Sequence, residues 1–152
     1  MNEEKLKKLK NNFKLRNIEV EYFKSLEDVK SYILDIVPIS STIGIAHSAT
    51  LQKMNITNFL LERGNVIYDK ELAQNLEECK ELKRKALTSD WYITGLNAIS
   101  VDGEIVNVDH SGNRVAAITF VPDKVCNSLS IIEGQSDCKR IKVFIVNEEC
   151  GF

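Results

Sequence analysis

Short apolar runs alternate along the chain with stretches of helical periodicity, and this alternation constrains the fold more than any other feature. Ile18, Val20 and Tyr22 alternate with Glu19 and Glu21, the period of a half-buried strand. Ser41–Ala46 (STIGIA) is a compact β-branched run of the kind found in buried parallel strands. Asn65–Tyr68, Asp90–Thr94 and Ile141–Val146 repeat the type. The intervening segments are helical. Leu6, Leu9 and Phe13 share one face of a helix over Glu3 to about Asn12, with Asn2 as its cap. Ser25 and Asp28 resemble a capping box, and the stripe Leu26, Val29, Ile33, Ile36 that follows stops before Pro38. A helix begins at Leu51–Met54 and continues over Ile56–Glu62. A long helix from about Glu71 carries Leu72, Leu76, Cys79, Leu82 and Leu87. Such alternation predicts an α/β fold, a three-layer α/β/α sandwich around a mostly parallel sheet. The strands at Ser41–Ala46, Asn65–Tyr68, Asp90–Thr94 and Ile141–Val146 are expected to share that sheet. With 152 residues and no low-complexity linker, one domain is expected over 1–152.

The densest stretch is Leu96–Ala117. Ala98–Val101 and Glu104–Val108 read as short strands, and Asp102-Gly103 between them predicts a two-residue type I′ hairpin turn. A polar loop, Asp109-His110-Ser111-Gly112-Asn113, leads into a helix at Arg114. The segment TGLNAISVDGEIVNVDHSGNRVAA resembles the signature of the LUD domain, the lactate utilization protein family. The pattern is T-x-x-N-A-I-x-x-D-G-x-x-V-N-x-D-G-x-G-N-R-V-A-A, matched almost without gaps. His110-Ser111 departs from it, standing where the family has Gly and a small residue. The resemblance implies a fold like that of the NagB/RpiA/CoA-transferase superfamily, whose members bind small anionic metabolites at strand-end loops. It also implies a link to bacterial conversion of L-lactate to pyruvate, in which a LUD protein works beside iron–sulfur partners.

Beyond Phe120–Val125, the resemblance jumps. Cys126-Asn127-Ser128-Leu129-Ser130-Ile131-Ile132 is similar to a much later family segment. The domain is therefore expected to lack an internal block after Val125 and to be shortened in its C-terminal part. An uncovered edge or apolar patch near Val125–Ile132 would then favour self-association into a homo-oligomer.

Composition narrows the functional classes. Lys+Arg number 20 against 22 Asp+Glu, which argues against a nucleic-acid partner, because that needs a basic excess. No apolar run is long enough to span a bilayer, and Met1–Leu9 lacks the apolar core of a signal peptide, so no membrane partner and a cytoplasmic location are expected. The cysteines, Cys79, Cys126, Cys138 and Cys150, form no C-x-x-C pair, and His47 and His110 are the two histidines. No metal is expected, and no dinucleotide, phosphate-loop or iron–sulfur motif identifies a cofactor.

Two loops carry the candidate site. His47-Ser48-Ala49-Thr50 follows the STIGIA strand and precedes a helix. Ser48 and Thr50 suit an anion there, or they are ordinary helix caps. In the family this segment is a G-G-S-x-T-L type turn, so Ser48 and Thr50 carry over, whereas His47 replaces a small residue. In the second loop, Asn107 and Asp109 flank Val108 and should share a side of a regular strand, as ligand contacts or as a polar network that pins the loop. Gly112, Asn113 and Arg114 open the helix; Arg114 either holds an anion through its planar fork or pairs with Asp109 or Asp102. Asn97 completes the expected wall. Both loops should meet at the carboxyl edge of the sheet and aim unsatisfied helix N–H groups at one small anionic ligand. No catalytic set of nucleophile, base and orienting group is legible. Cys79 is expected to be buried and inert, and Trp91 to belong to the core.

Overall fold

A computed structural model describes residues 2–119, the backbone of 124–126, and residues 141–147. The expectations placed on 127–140, including the uncovered patch, fall outside the described residues. Helix α1 spans Glu3–Leu15, and Asn2 Oδ1 accepts a hydrogen bond from Lys5 N at 2.9 Å at its start. Strand β1 (Glu19–Phe23) follows, and then α2 (Leu26–Ile36). The capping box is present: Asp28 N donates to Ser25 Oγ and Ser25 N to the Asp28 carboxylate. Strand β2 (Thr42–Ile45) leads into α3 (Ala49–Lys53) and α4 (Ile56–Arg63), then β3 (Val66–Asp69). Helix α5 (Leu76–Leu87) leads to β4 (Trp91–Ile93). The hairpin β5 (Ala98–Ile99) and β6 (Ile105–Val106) precedes α6 (Asn113–Thr119), and β7 (Lys124–Cys126) and β8 (Ile141–Val146) follow.

Six strands form one parallel sheet in the order β1-β8-β7-β4-β2-β3. The four strands expected to share a sheet do so. Side chains alternate between its faces. Ile43, Ile45, Ile67 and Ile93 pack against Val29 and Ile33 of α2, Leu51 of α3 and Leu60 of α4. On the other face, Leu9 and Phe13 of α1 cover Val20 and Val143, while Ala86 of α5 and Ala117 of α6 cover Tyr92. The result is a three-layer α/β/α sandwich, and among the described residues no helix is long and apolar enough to cross a membrane.

Two expectations are corrected. The helix expected from Glu71 begins at Leu76; Lys70–Leu72 form a 3-10 turn, and Asn75 caps the helix through Glu78 N at 2.9 Å. Its stripe was read too far, since Leu76 is 82% exposed, Cys79 is half-buried, and Ala86 is the residue that seats the helix. The hairpin turn is not type I′, which needs positive φ at both central residues. Only Gly103 has it, at 90°. Ser100 N donates to the Glu104 carbonyl at 2.7 Å and Gly103 N to the Ser100 carbonyl at 3.4 Å, so three residues turn the chain and the glycine closes it.

The α5 face depends on Gly44. A Cβ there would lie 2.7 Å from the Ala86 carbonyl oxygen and 2.7 Å from Tyr92 Cδ2. Ser89, 2% exposed, locks this approach: its Oγ accepts from Gly44 N at 3.0 Å and lies 2.8 Å and 2.7 Å from the Ala86 and Trp91 carbonyl oxygens. Gly44→Ala is expected to destabilise the fold by about 1–3 kcal/mol through overpacking, read as a lower denaturant midpoint with an unchanged slope. Asp90 supplies a pH dependence. Its carboxylate accepts from Thr42 N and Thr42 Oγ1, both at 2.8 Å, which holds its pKa below the ordinary 3.8. A depressed folded-state pKa stabilises above the unfolded value and loses that contribution as pH falls through the folded one. Asp90→Asn should therefore flatten the acid limb of the stability profile below pH 3.8, measured by thermal unfolding against pH.

Candidate functional site

The crevice forms where β2 and β4 lie side by side. The chain leaves β2 toward α3 on one face and leaves β4 toward the hairpin and α6 on the other. Adjacent parallel strands whose connections part in this way open a cleft beyond their carboxyl ends. Two cavities lie there, one on each face of the sheet at the β2 exit, and a third of about 220 Å³ beside β3 is lined by His47, Ser48, Asp69 and Glu71.

The first, about 300 Å³, lies toward α5 and α6. Ile45, Ala46 and Ala86 form its apolar floor. His47, Lys70, Lys83, His110 and Arg114 bring basic groups to it, and Asp109 is the one carboxylate on its described wall. That carboxylate is already engaged. Asp109 Oδ2 accepts from Arg114 N at 2.7 Å and Val115 N at 3.3 Å, and Oδ1 from Ser111 N at 3.4 Å. It sits where an external anion was expected, at the first N–H groups of α6, so the expectation of free helix N–H groups there is overturned. A side-chain carboxylate satisfies them more cheaply than a ligand, because it is tethered.

Arg114 departs from both expected ion pairs. Asp102 instead meets Lys8 at 3.1 Å, and Arg114 Nη2 donates to the Val108 carbonyl at 2.5 Å and to Asn97 Oδ1 at 3.4 Å. Asn97 Oδ1 also accepts from Val108 N at 2.9 Å, so Asn97 and Arg114 together hold the loop that follows β6. Asn113 Oδ1 accepts from Ser111 Oγ at 2.7 Å, and the Gly112 carbonyl accepts from Ala116 N at 2.9 Å with Gly112 at φ 74°. Asn107 and Asp109 do not share a strand face, because β6 ends at Val106.

Polar groups without partners collect here. Among the described residues, the buried side-chain atoms lacking a hydrogen bond are Tyr92 Oη, both amide atoms of Asn107, and Arg114 Nε. Burial pushes the Tyr92 phenol well above its ordinary range. The Asp109 carboxylate raises it further, and Arg114 and Asn113 oppose the shift. The phenol therefore stays neutral and keeps its proton to donate.

The two loops meet at the carboxyl edge, and of the first loop it is His47 that lines the first cavity with the second. His47 joins Asp109, His110, Ser111, Asn113 and Arg114 in the first cavity. Ser48 and Thr50 line the second, on the α2 side, with Thr94, Gly95 and Leu96. Neither Asn97 nor Asn107 lines the first cavity directly; Asn97 acts through Val108 and Arg114. Lys70 and Lys83 escaped sequence reasoning. Each lies in a charge-rich stretch typical of a solvated face, and only the packing of α5 and the exit of β3 turn them inward. Lys83 Nζ reaches Ser111 Oγ at 3.5 Å, and His47 Nδ1 lies 3.2 Å from Glu71 Oε1.

Asp109→Ala should destabilise the protein by about 0.5–2 kcal/mol, the scale of a lost N-cap, and raise amide exchange of Arg114 and Val115 above that of the α5 amides, measured by hydrogen–deuterium exchange.

The model of the family described as the LUD domain matches residues 6–131. No curated protein and no solved structure matches the chain.

Proposed function

The chain belongs to the LUD domain family, and from that premise we propose that it binds a small anionic metabolite of lactate or related organic-acid metabolism, in the bacterial cytosol, within the cavity between β2, α5 and the loop before α6. One observation carries this reading. Lys83 and Arg114 face the cavity, and neither has a carboxylate in ion-pair contact among the described residues. The single carboxylate on the wall is committed to the start of α6. Two uncompensated cations above an apolar floor favour a carboxylate or phosphate, and Arg114 Nε is a buried donor still without a partner. The residues proposed to hold the ligand are Lys83, Arg114, Asn113 and His47. Asp109, Asn97 and Gly112 shape the loop that presents them.

A non-catalytic binding or assembly module is the second reading. Val106 at the end of the hairpin and Val108 in the loop after it, 51% and 73% exposed beside the cavity, favour it.

A thermal-stabilisation screen against lactate, pyruvate, sugar phosphates, coenzyme A and folates tests the first reading. At least one of these anions should raise the melting temperature. Lys83→Ala should weaken that ligand by about 1.5–3 kcal/mol, the size of a hydrogen bond to a charged group, with little change in the unliganded melting temperature. Arg114→Ala should weaken the ligand comparably and also lower the melting temperature, since it releases Val108. Stabilisation by none of the anions, or equal binding by Lys83→Ala, would leave the assembly reading in its place.

A further inference from the structure

We propose that the second cavity is a binding site of its own, for an uncharged and largely apolar small molecule carrying one hydrogen-bonding group. It measures about 260 Å³ and lies between α2, α3 and the carboxyl ends of β4 and β8. Its described walls include Leu26, Val29 and Ile33 of α2, Met54, Leu96 and Phe144, and no charged side chain. The cavity is open to solvent, and a concave, mostly apolar surface is where a small ligand buries most of its own area. Apolar cavities of about 150 Å³ stay dry and take up benzene, so this one has room for a bicyclic ring. An anion would lose its hydration here and gain no cation in return. The site is therefore chemically distinct from the basic cavity on the other side of β2, and the proposal does not depend on the reading of that cavity.

Ser48 supplies the polar contact. It occupies the N-cap position of α3 with extended backbone, φ −156° and ψ 129°, yet its side chain makes no capping bond. A serine there ordinarily spends its hydroxyl on the helix. Gly95 packs directly against it: a Cβ at Gly95 would lie 2.4 Å from Ser48 Oγ. The missing side chain leaves the hydroxyl room on the cavity wall. Thr94, by contrast, donates its hydroxyl to the Gly95 carbonyl at 3.2 Å.

Indole is a suitable probe, being uncharged, bicyclic and equipped with one N–H donor for Ser48 Oγ. Titrated into the full chain and followed by two-dimensional NMR, it should shift the amides of Ser48–Leu51 and Thr94–Ile99 in a saturable manner, while inorganic phosphate leaves them unmoved. Ala98→Trp places a large ring at the mouth from an exposed hairpin position and should abolish the indole shifts. Ser48→Ala should retain binding with affinity lowered about three- to tenfold, the scale of one neutral hydrogen bond. Shifts scattered over the surface, or indole binding by Ala98→Trp equal to that of the unsubstituted chain, would overturn the proposal. So would the absence of any saturable indole response.

Discussion

The approach of α5 to the sheet at Gly44 governs the geometry around the crevice. With no Cβ between them, the Ala86 carbonyl and the Tyr92 ring can both press on the β2 backbone. Ser89 then ties Gly44 N to the end of α5 and to β4 through one buried hydroxyl. This contact sets how deep α5 lies. The depth of α5 brings Ala86 to the floor of the basic cavity and Lys83 to its wall. A side chain at position 44 would lift the helix and pull the lysine away from the loop before α6. Packing in the middle layer thus decides the electrostatics at the rim.

The rim itself is organised around one carboxylate. A helix start attracts negative charge, and the chain meets that demand internally with Asp109. This has two consequences. The loop before α6 is held in shape without a ligand, and Lys83 and Arg114 are left without a carboxylate in ion-pair contact among the described residues, whereas His47 and Lys70 lie against Glu71. The anion-seeking property of the site is thereby moved from backbone N–H groups to side chains, Lys83 and Arg114. Side chains can adjust to different anions, whereas a helix terminus offers one fixed seat. Tyr92, kept neutral behind them by burial and by Asp109, adds a donor but no charge.

Local chemistry made some of this legible in the sequence. Ser25 and Asp28 announced a capping box because both partners lie within one turn. The strands announced themselves through β-branched runs, and their shared sheet followed from helix–strand alternation. The loop Asp109–Arg114 was visible as polar residues between a hairpin and a helix. What stayed hidden depends on contacts between distant segments. Lys70 and Lys83 lie far from Arg114 in sequence and meet it only across α5 and the exit of β3. Asp-Gly is compatible with more than one turn, and the choice falls to Ser100, whose Oγ accepts from Asp102 N at 3.2 Å and Glu104 N at 3.1 Å. Leu76 fits the period of the α5 stripe but is the first residue of the helix and lies exposed.

The exit of β2 divides the crevice at a single peptide link. His47 lines the basic cavity and Ser48 the apolar one, and both also border the third cavity beside β3. The two sites are therefore separated by chain direction and by the plane of the sheet. Ser48 and Thr50 line the cavity without charged side chains, whereas His47 meets Arg114 across the basic cavity.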